Sequence, residues 1–460
     1  MSLKVDFAQL KMAVDWSIAQ LEKPRSNRVS AVREYVGQHY SSRGSDKRVP
    51  TNFLELATTI YVRLLAANAP QAIVTAKNPA LKPYAKTTEL AINQIPDEID
   101  LGGTLRRAVL EAMFSIGIIK VGICSSGVAI LGHDVGEAYA DIVPLDDYFC
   151  DMSAKSRRGM QFEGNDYWVM VETAREMFGT NKIEPDKHTV TGSQGEERAE
   201  GVSVDEGADL YKDKVWLRDV YLHTDGQLLT YGVQSDKHFK TINWDGPENG
   251  PYHILGFSDV PGNIMPLPPV ALWMDLHQLG NALFRKLGKQ ADAKKTVAAF
   301  SGGDENQVNL IKNAADGEGI RYTGQKPESI TVGGIDAPTL AFYLQVQDQL
   351  DYFAGNLNTL GGLGPGSDTV GQDRLMSEAA GARAQDMAQQ TFKFAKGIFK
   401  ALAWYDWTNP VRKRFVEKRI GKTDIYLNRE WSDETREGNF LDYNFDIDVY
   451  SMQDNSPAVR

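Results

Sequence analysis

Two groups of aspartates have the spacing that would most directly support chemistry in this chain. Asp146, Asp147 and Asp151 follow a predicted strand, while Asp446 and Asp448 share one face of another, because side chains alternate along a strand. Carboxylates are ligands that hard divalent metals prefer, so both groups are candidate sites of a metal-dependent enzyme acting on nucleic acid. Aspartates after a strand more often form turns, and alternating aspartates more often face solvent. We predict these structural roles and keep the metal-dependent enzyme as the alternative function.

A glycine-rich stretch from Leu360 to Thr369 is the second candidate for chemistry, because glycine-rich loops bind phosphates. It lacks the Gly-Lys-Ser/Thr ending of a phosphate-binding loop, and it follows a helical pattern where that loop would follow a buried strand. The sequence also lacks the signatures of zinc proteases, α/β-hydrolases and kinases, and its seven histidines are scattered. We predict a flexible loop between two helices, in a protein without enzymatic activity, cofactor or bound metal.

Composition limits the setting and the partners of the protein. The chain has 460 residues, a net charge of −11 and two cysteines, too few for a disulfide framework, so we expect a reducing cytoplasm. No apolar run approaches the roughly 20 residues that span a bilayer, and we expect no membrane partner. Acidity argues against a protein that grips DNA, because affinity for DNA comes from neutralised phosphates. It does not argue against a conduit that DNA passes through.

The first half of the chain predicts helices followed by strands. Apolar residues at helical spacing predict four helices, over 3–22, about 29–40, from Pro50 to before Pro70, and about 104–115. From Ile118 onward the alternation predicts strands at 118–124 and 139–143 and a hairpin over 215–234 that turns at Asp225-Gly226. The polar stretch 179–209 is predicted to be a surface excursion. The fold class is therefore α+β.

The second half predicts three long helices and a small insert. Leu272, Leu276, Leu279, Leu283 and Leu287 lie on one face of a helix over about 269–292, in which His277 is interpreted as a packing or surface residue. The insert, 293–337, has strand patterns near 296–300, 320–323 and 330–332 and a short helix that begins with a capping box at Asp304 and Gln307.

A helix after Pro338 returns antiparallel to the first, with apolar residues predicted to face inward: Leu340, Tyr343, Leu344, Leu350, Phe353 and Leu357. The third long helix, over 370–407, begins with small residues that suit close packing, either between copies of the chain or within one core. The basic run 412–419 is interpreted as a solvated helix face, with contact to DNA or an acidic partner as the alternative.

The order of these parts resembles the portal (head–tail connector) proteins of tailed bacteriophages. A mixed α/β region, a helix, a small α/β insert, a second helix, a glycine-rich loop and a long helix follow one another, and the resemblance covers most of the chain. Family-like stretches support it and follow one another in the family's order: 140–151, 255–269, Asn281 and 364–372.

The resemblance implies a portal-type fold. Its parts would be a wing (1–265), two stem helices (268–292 and 338–358), a clip (293–337), a tunnel loop (359–371), a long wing helix (372–408) and a C-terminal segment beside the wing and crown (409–460). Many relatives continue from there into a helical crown, so we expect either a minimal or absent crown or a sequence that ends before it.

The resemblance also implies a function. Twelve copies would form a ring at one capsid vertex, through which double-stranded DNA passes during packaging and ejection. The protein would lie in the virion, and in the host cytoplasm during assembly. Its partners would be further copies of itself, the terminase large subunit, a head–tail adaptor, and the major capsid and scaffolding proteins. A non-viral oligomeric scaffold is a third interpretation of the same pattern.

The resemblance assigns three sets of site residues. The tunnel loop that narrows the channel would comprise Gly361, Gly362, Leu363, Gly364, Pro365, Gly366, Ser367, Asp368 and Thr369. Basic residues that would line the channel are Lys286, Lys289, Lys294 and Lys295, with the outer surface of the stem as the alternative location. Clip residues that would dock partners are Asp304, Glu305, Asn306, Asn309 and Lys312.

Overall fold

The chain forms an α+β fold with two compact units, unit 1 (Met1–Met274 and Ala354–Arg460) and unit 2 (Asp275–Phe353). The computed structural model describes residues 5–37, 51–66, 68–124, 136–186, 213–235, 237–299, 305–321, 328–355, 357–360, 370–408, 414–419, 426–432, 436–448 and 451–452. No helix within these ranges combines the length and the apolar composition that crossing a bilayer requires.

Helices account for much of both units. In the described part of the chain they are α1 (Phe7–Val36), α2 (Phe53–Leu65), α3 (Lys82–Ile92), α4 (Ile95–Glu98), α5 (Leu101–Phe114), α6 (Val171–Phe178), α7 (Pro269–Asp292), α8 (Glu305–Asn313), α9 (Ala337–Phe353), α10 (Leu357–Leu360) and α11 (Val370–Thr408).

The strands pair antiparallel throughout the described residues. They are β1 (Ala72–Ala76), β2 (Gly117–Ile123), β3 (Ala138–Ile142), β4 (Tyr148–Cys150), β5 (Phe162–Met170), β6 (Lys214–Leu222), β7 (Gln227–Gly232), β8 (His238–Asn243), β9 (Tyr252–Leu255), β10 (Lys295–Ala299), β11 (Glu328–Val332), β12 (Arg414–Arg419), β13 (Tyr426–Trp431) and β14 (Tyr443–Ile447). Unit 1 contains a five-stranded sheet in the order β4-β5-β6-β7-β8, a three-stranded sheet β3-β2-β9, and the pairs β1-β14 and β12-β13.

Helix α11 lies at the centre of the largest core of unit 1. Phe394, Ile398 and Leu402 recur at helical spacing along it and are buried together with Leu105 and Val109 of α5. Each such side chain contributes about 1.5–3 kcal/mol when fully buried. The long apolar pattern predicted this helix, and the structure confirms it.

Helix α1 covers one face of the five-stranded sheet as a single helix, where the pattern predicted two. Leu10, Val14 and Leu21 are buried in the second core of unit 1. Pro24 lies inside the helix and removes one backbone hydrogen bond. Tertiary contacts beyond it keep the helix continuous, since Arg25 donates to the carbonyl oxygens of Leu145 and Tyr148 (3.2 and 2.9 Å).

A network of buried charges joins the three-stranded and the five-stranded sheets of unit 1. The Lys120 ammonium on β2 contacts Asn165 Oδ1 (2.9 Å) and Asp219 Oδ2 (2.8 Å) of the five-stranded sheet. Burial lowers the pKa of Lys120, but the combined effect of Asp219 and the nearby Tyr252, Tyr139 and Tyr167 is larger and keeps the pKa well above the ordinary value. At the next pair of residues along β5 and β6, Arg218 binds Asp166 with two hydrogen bonds of 2.6 and 2.7 Å. Both cations therefore remain charged inside the fold.

Other predictions differ from the structure in specific places. The basic run 412–419, predicted as a helix face, contains strand β12 instead, because it pairs with β13. The helix after Pro338 ends at Phe353 and not near 358; Gly355 has a φ of +88°, which a helix cannot contain. Ile320 and Arg321 are not in a strand. Strand β1 and helices α3 and α6 were not predicted, because their apolar patterns are short.

The helices at α2, α5 and α7 and the hairpin of β6 and β7 are confirmed. The turn of the hairpin contains Gly226 at a φ of +57°, which is the backbone conformation for which an Asp-Gly pair is favoured. The polar stretch predicted as a surface excursion lies mostly outside the described residues.

Candidate functional site

Unit 2 is built on two antiparallel helices, the part of α7 from Asp275 onward and α9. The rings of Phe284 and Tyr343 lie 5.5 Å apart, and the backbone N–H of Asp336 donates to Gln290 Oε1 (3.2 Å). The ring contact joins the middles of the two helices, and the hydrogen bond joins the end of α7 to the residue before α9. The pair β10-β11 and helix α8 lie between them in sequence.

Asp336 fixes the start of α9. Its carboxylate accepts hydrogen bonds from the backbone N–H and the hydroxyl of Thr339 (3.2 and 2.7 Å). These bonds, with a smaller contribution from Lys286, hold the pKa of Asp336 below its ordinary value. The helix therefore begins at a defined residue, beside the end of the preceding β-pair.

The leucine stripe of α7 is only partly buried. Leu272 and Leu279 are 48% and 40% exposed and Leu276 and Leu283 are half-buried, whereas Leu287 is buried, as are His277 and Asn281. Asn281 Nδ2 donates to the backbone oxygen of His277 (3.1 Å). His277 is a packing residue, as interpreted. A polar pair that satisfies its own hydrogen bonds can therefore occupy buried positions of a helix.

The predicted inward face of α9 is also only partly buried. Tyr343 and Leu350 are buried as predicted, and Leu357 is buried in unit 1. The predicted inward residues that are exposed instead are Leu340, Leu344 and Phe353, at 39%, 50% and 46%. Burial follows Thr339, Tyr343, Val346 and Leu350, which recur at three and four residues and define one helix face.

Unit 2 therefore exposes more large apolar side chains than its share of the chain would lead one to expect. More than half of the large apolar side chains that are exposed among the described residues belong to its 275–353 segment. On the β-pair, Val297 lies opposite Ile330 and beside Val332, all at least 47% exposed and on one face. Two-stranded pairs are marginal in water by themselves, and large exposed apolar patches mark interaction sites. The sequence pattern did not indicate these strand residues as functional.

The predicted basic residues lie on the surface of unit 2. Lys286 and Lys289 are exposed on α7, and Lys294 and Lys295 are exposed at the start of β10. From residue 285 to 295 the chain has five basic residues and one acidic residue, a net charge of +4 in a protein of −11. Phosphates would be attracted to this segment, with an affinity that salt weakens.

Helix α8 presents a polar face. Glu305, Asn306, Asn309 and Lys312 are exposed, together with Leu310 at 59%. Asp304, predicted as part of the same set, lies outside the described residues, as do Gly361, Gly362, Leu363, Gly364, Pro365, Gly366, Ser367, Asp368 and Thr369 of the predicted tunnel loop.

The aspartate groups have structural partners. Asp151 accepts hydrogen bonds from the hydroxyl of Ser153 (2.6 Å) and from the backbone N–H of Gln161 (3.1 Å), which is the predicted turn role. Asp446 is exposed on β14 and pairs with Lys396 (3.2 Å). Within the described ranges, no three His, Cys, Asp or Glu side chains are grouped as metal ligands.

Comparisons with known proteins yield no assignment. The chain matches no model of a known protein family, and no curated protein matches its sequence.

Proposed function

We propose that this chain is a portal-type protein whose unit 2 drives its assembly into a ring with a central channel for double-stranded DNA. The observation that carries the proposal is the concentration of exposed apolar side chains on α7, α9 and the β10-β11 pair. Copies of the same chain are the natural cover for such a surface, because closed rings bury the same two patches in every subunit.

The order of elements supports the portal class of ring. A mixed α/β region, α7, a small α/β insert, α9 and the 39-residue helix α11 follow one another as in the family that the sequence resembles. In the proposed ring the exposed polar face of α8 would dock the terminase large subunit and later a head–tail adaptor. Unit 1 would face the capsid and scaffolding proteins in the virion.

Charge supports the role of a conduit. Twelve copies at −11 each carry −132, so a duplex inside the ring would find few attractive positions on the walls. The basic segment 285–295 would add weak, salt-sensitive contacts. This combination allows DNA to move in both directions without being held.

Mass photometry and negative-stain electron microscopy test the proposal. The purified chain should form rings of about 610 kDa, twelve subunits of 51.0 kDa. Leu344→Glu and Val332→Glu each place a charge on the exposed apolar surface and should shift the protein to smaller species. Met12→Glu, at a position 65% exposed in unit 1, is the matched control and should leave the rings intact. A wild-type chain that stays monomeric at micromolar concentration would exclude a ring.

A further inference from the structure

Helix α9 exposes apolar side chains on both of its flanks. A helix turns by about 100° per residue, so its buried residues fix the direction of all the others. The buried residues that define its inward side are Thr339, Tyr343, Val346 and Leu350. From that side, the exposed Leu340 and Leu344 lie about 90–130° in one direction around the axis, and the exposed Phe342 and Phe353 lie about 50–70° in the other.

The part of α7 in unit 2 exposes apolar side chains on one flank. Its inward side contains the buried His277, Asn281 and Leu287. About 70–135° from that side lies a flank on which Leu279 is exposed and two further leucines are half-buried, Leu276 and Leu283. The opposite flank is polar or small, with Gln278, Ala282, Arg285 and Lys289.

The antiparallel packing of the two helices places these flanks on opposite faces of one layer. The leucine flank of α7 lies on the same side as Phe342 and Phe353, and together they form what we call the leucine face. Leu340 and Leu344 lie on the other side, which we call the α9 face. A two-fold dimer pairs one patch with the same patch of its partner, so it would cover one face and leave the other in water.

Charge also distinguishes the two faces. Residues 276–291 of α7 include three basic residues and no acidic one, and Lys286 is exposed beside the leucine flank. Helix α9 has two acidic residues and no basic one, and Asp348 is exposed one turn after Leu344. Pairing a face with itself would bring like charges together, whereas pairing one face with the other brings opposite charges together.

We infer that the leucine face of one copy binds the α9 face of the next copy, so that the copies associate head to tail. The inference rests on the proposed ring and names the two surfaces that meet in it. Every copy then covers both of its exposed faces, and opposite charges lie beside the apolar contact.

A mixture of two blocked variants tests the inference. Leu279→Glu places a charge on the leucine face and Leu344→Glu places one on the α9 face, so each variant alone should be monomeric. Their equimolar mixture should form dimers of about 102 kDa, two subunits of 51.0 kDa, and nothing larger. In these dimers the intact α9 face of the first variant binds the intact leucine face of the second. Size-exclusion chromatography with light scattering at about 100 μM measures the masses.

Cysteine cross-linking tests the same contact in assembled protein. The two native cysteines are buried and do not interfere. With a short bismaleimide, Leu279→Cys alone and Leu344→Cys alone should remain single chains on a denaturing gel. The double variant Leu279→Cys/Leu344→Cys should give a ladder of dimers, trimers and larger species. Pairing Leu344→Cys with Met12→Cys, which is exposed in unit 1, is the collision control and should give no ladder.

The outcomes separate this inference from the proposed ring. Wild-type rings together with cross-linked dimers of a single-cysteine variant would reveal a two-fold contact, which overturns the head-to-tail inference and leaves the ring intact. Wild-type rings with no ladder in the double variant and no dimers in the mixture would also overturn it. A monomeric wild-type chain would exclude the ring and the inference together. Circular dichroism of each variant excludes unfolding as the cause.

Discussion

Asp147 lies in the turn between β3 and β4, where its carboxyl is partly buried among other acids. Burial, Asp166 and Asp146 raise its pKa to about 6, against a smaller opposing effect of Arg25. Between pH 3.8 and 6 the folded chain therefore binds more protons at this residue than the unfolded chain does. The contribution of Asp147 to the free energy of unfolding therefore falls as the pH rises through this window. At neutral pH the ionised carboxylate lowers the stability of the fold.

Asp147→Asn should therefore stabilise the protein at pH 7.5 and have little effect at pH 4. The expected gain is about 1 kcal/mol at pH 7.5, less than the full pKa shift implies because the group is partly solvated. Thermal unfolding at the two pH values measures it. Asp97→Asn, at an exposed position of α4, is the control. An equal change at both pH values would show that the charge of Asp147 is not responsible.

At the scale of elements, Arg218 connects the five-stranded sheet to helix α1. Its guanidinium binds Asp166 on the neighbouring strand with two hydrogen bonds and contacts Asp15 of α1 at 3.2 Å. Arg218 and Asp166 are buried, whereas Asp15 is 56% exposed. The two carboxylates should therefore contribute very differently, since an exposed ion pair is screened by water.

Arg218→Met should destabilise unit 1 by about 3–5 kcal/mol, because it leaves the buried Asp166 without the cation that donates both of its charged hydrogen bonds. Asp15→Ala should cost less than about 1 kcal/mol. Urea unfolding followed by circular dichroism measures both. The double variant Arg218→Met/Asp166→Leu removes both charges and should recover much of the loss. If it is as unstable as Arg218→Met, packing around the arginine, and not the unpaired carboxylate, determines the cost.

For the whole molecule, the basic segment of unit 2 leads to a prediction about DNA. Changing Lys286, Lys289, Lys294 and Lys295 together to Gln should weaken duplex binding by the assembled protein and reduce its dependence on salt. Each lost phosphate contact lowers the slope of log affinity against log salt by about 0.9. Fluorescence anisotropy across a range of salt concentrations measures the slope.

The matched control changes four exposed lysines of unit 1 to Gln: Lys82, Lys182, Lys237 and Lys393. It removes the same net charge from the protein. Equal effects of the two quadruple variants would show that DNA responds to total charge and not to the basic segment. Ring assembly, followed by mass photometry, should be the same for both.

The sequence by itself determined the long elements of this protein. Apolar residues at helical spacing over many turns located α2, α5, α7, α9 and α11, and an Asp-Gly pair located the β6-β7 turn. The reason is physical: periodicity and turn chemistry are local properties of the chain, and a long pattern outweighs chance. Acid groups at Asp151 and Asp446 were also interpreted correctly, because turns and exposed strand faces are local as well.

Which face of each helix is buried, and which distant residues meet, depends on packing between segments and emerges from the folded chain. His277 and Asn281 are buried on α7 while Leu272 and Leu279 are exposed, and Asn281 donates to the backbone oxygen of His277. The continuity of α1 past Pro24 depends on contacts of Arg25 more than a hundred residues away. His253 of β9 lies against Gly397 of α11, a contact that neither sequence neighbourhood indicates. Such contacts depend on packing between distant segments, which has no periodic signature in the sequence.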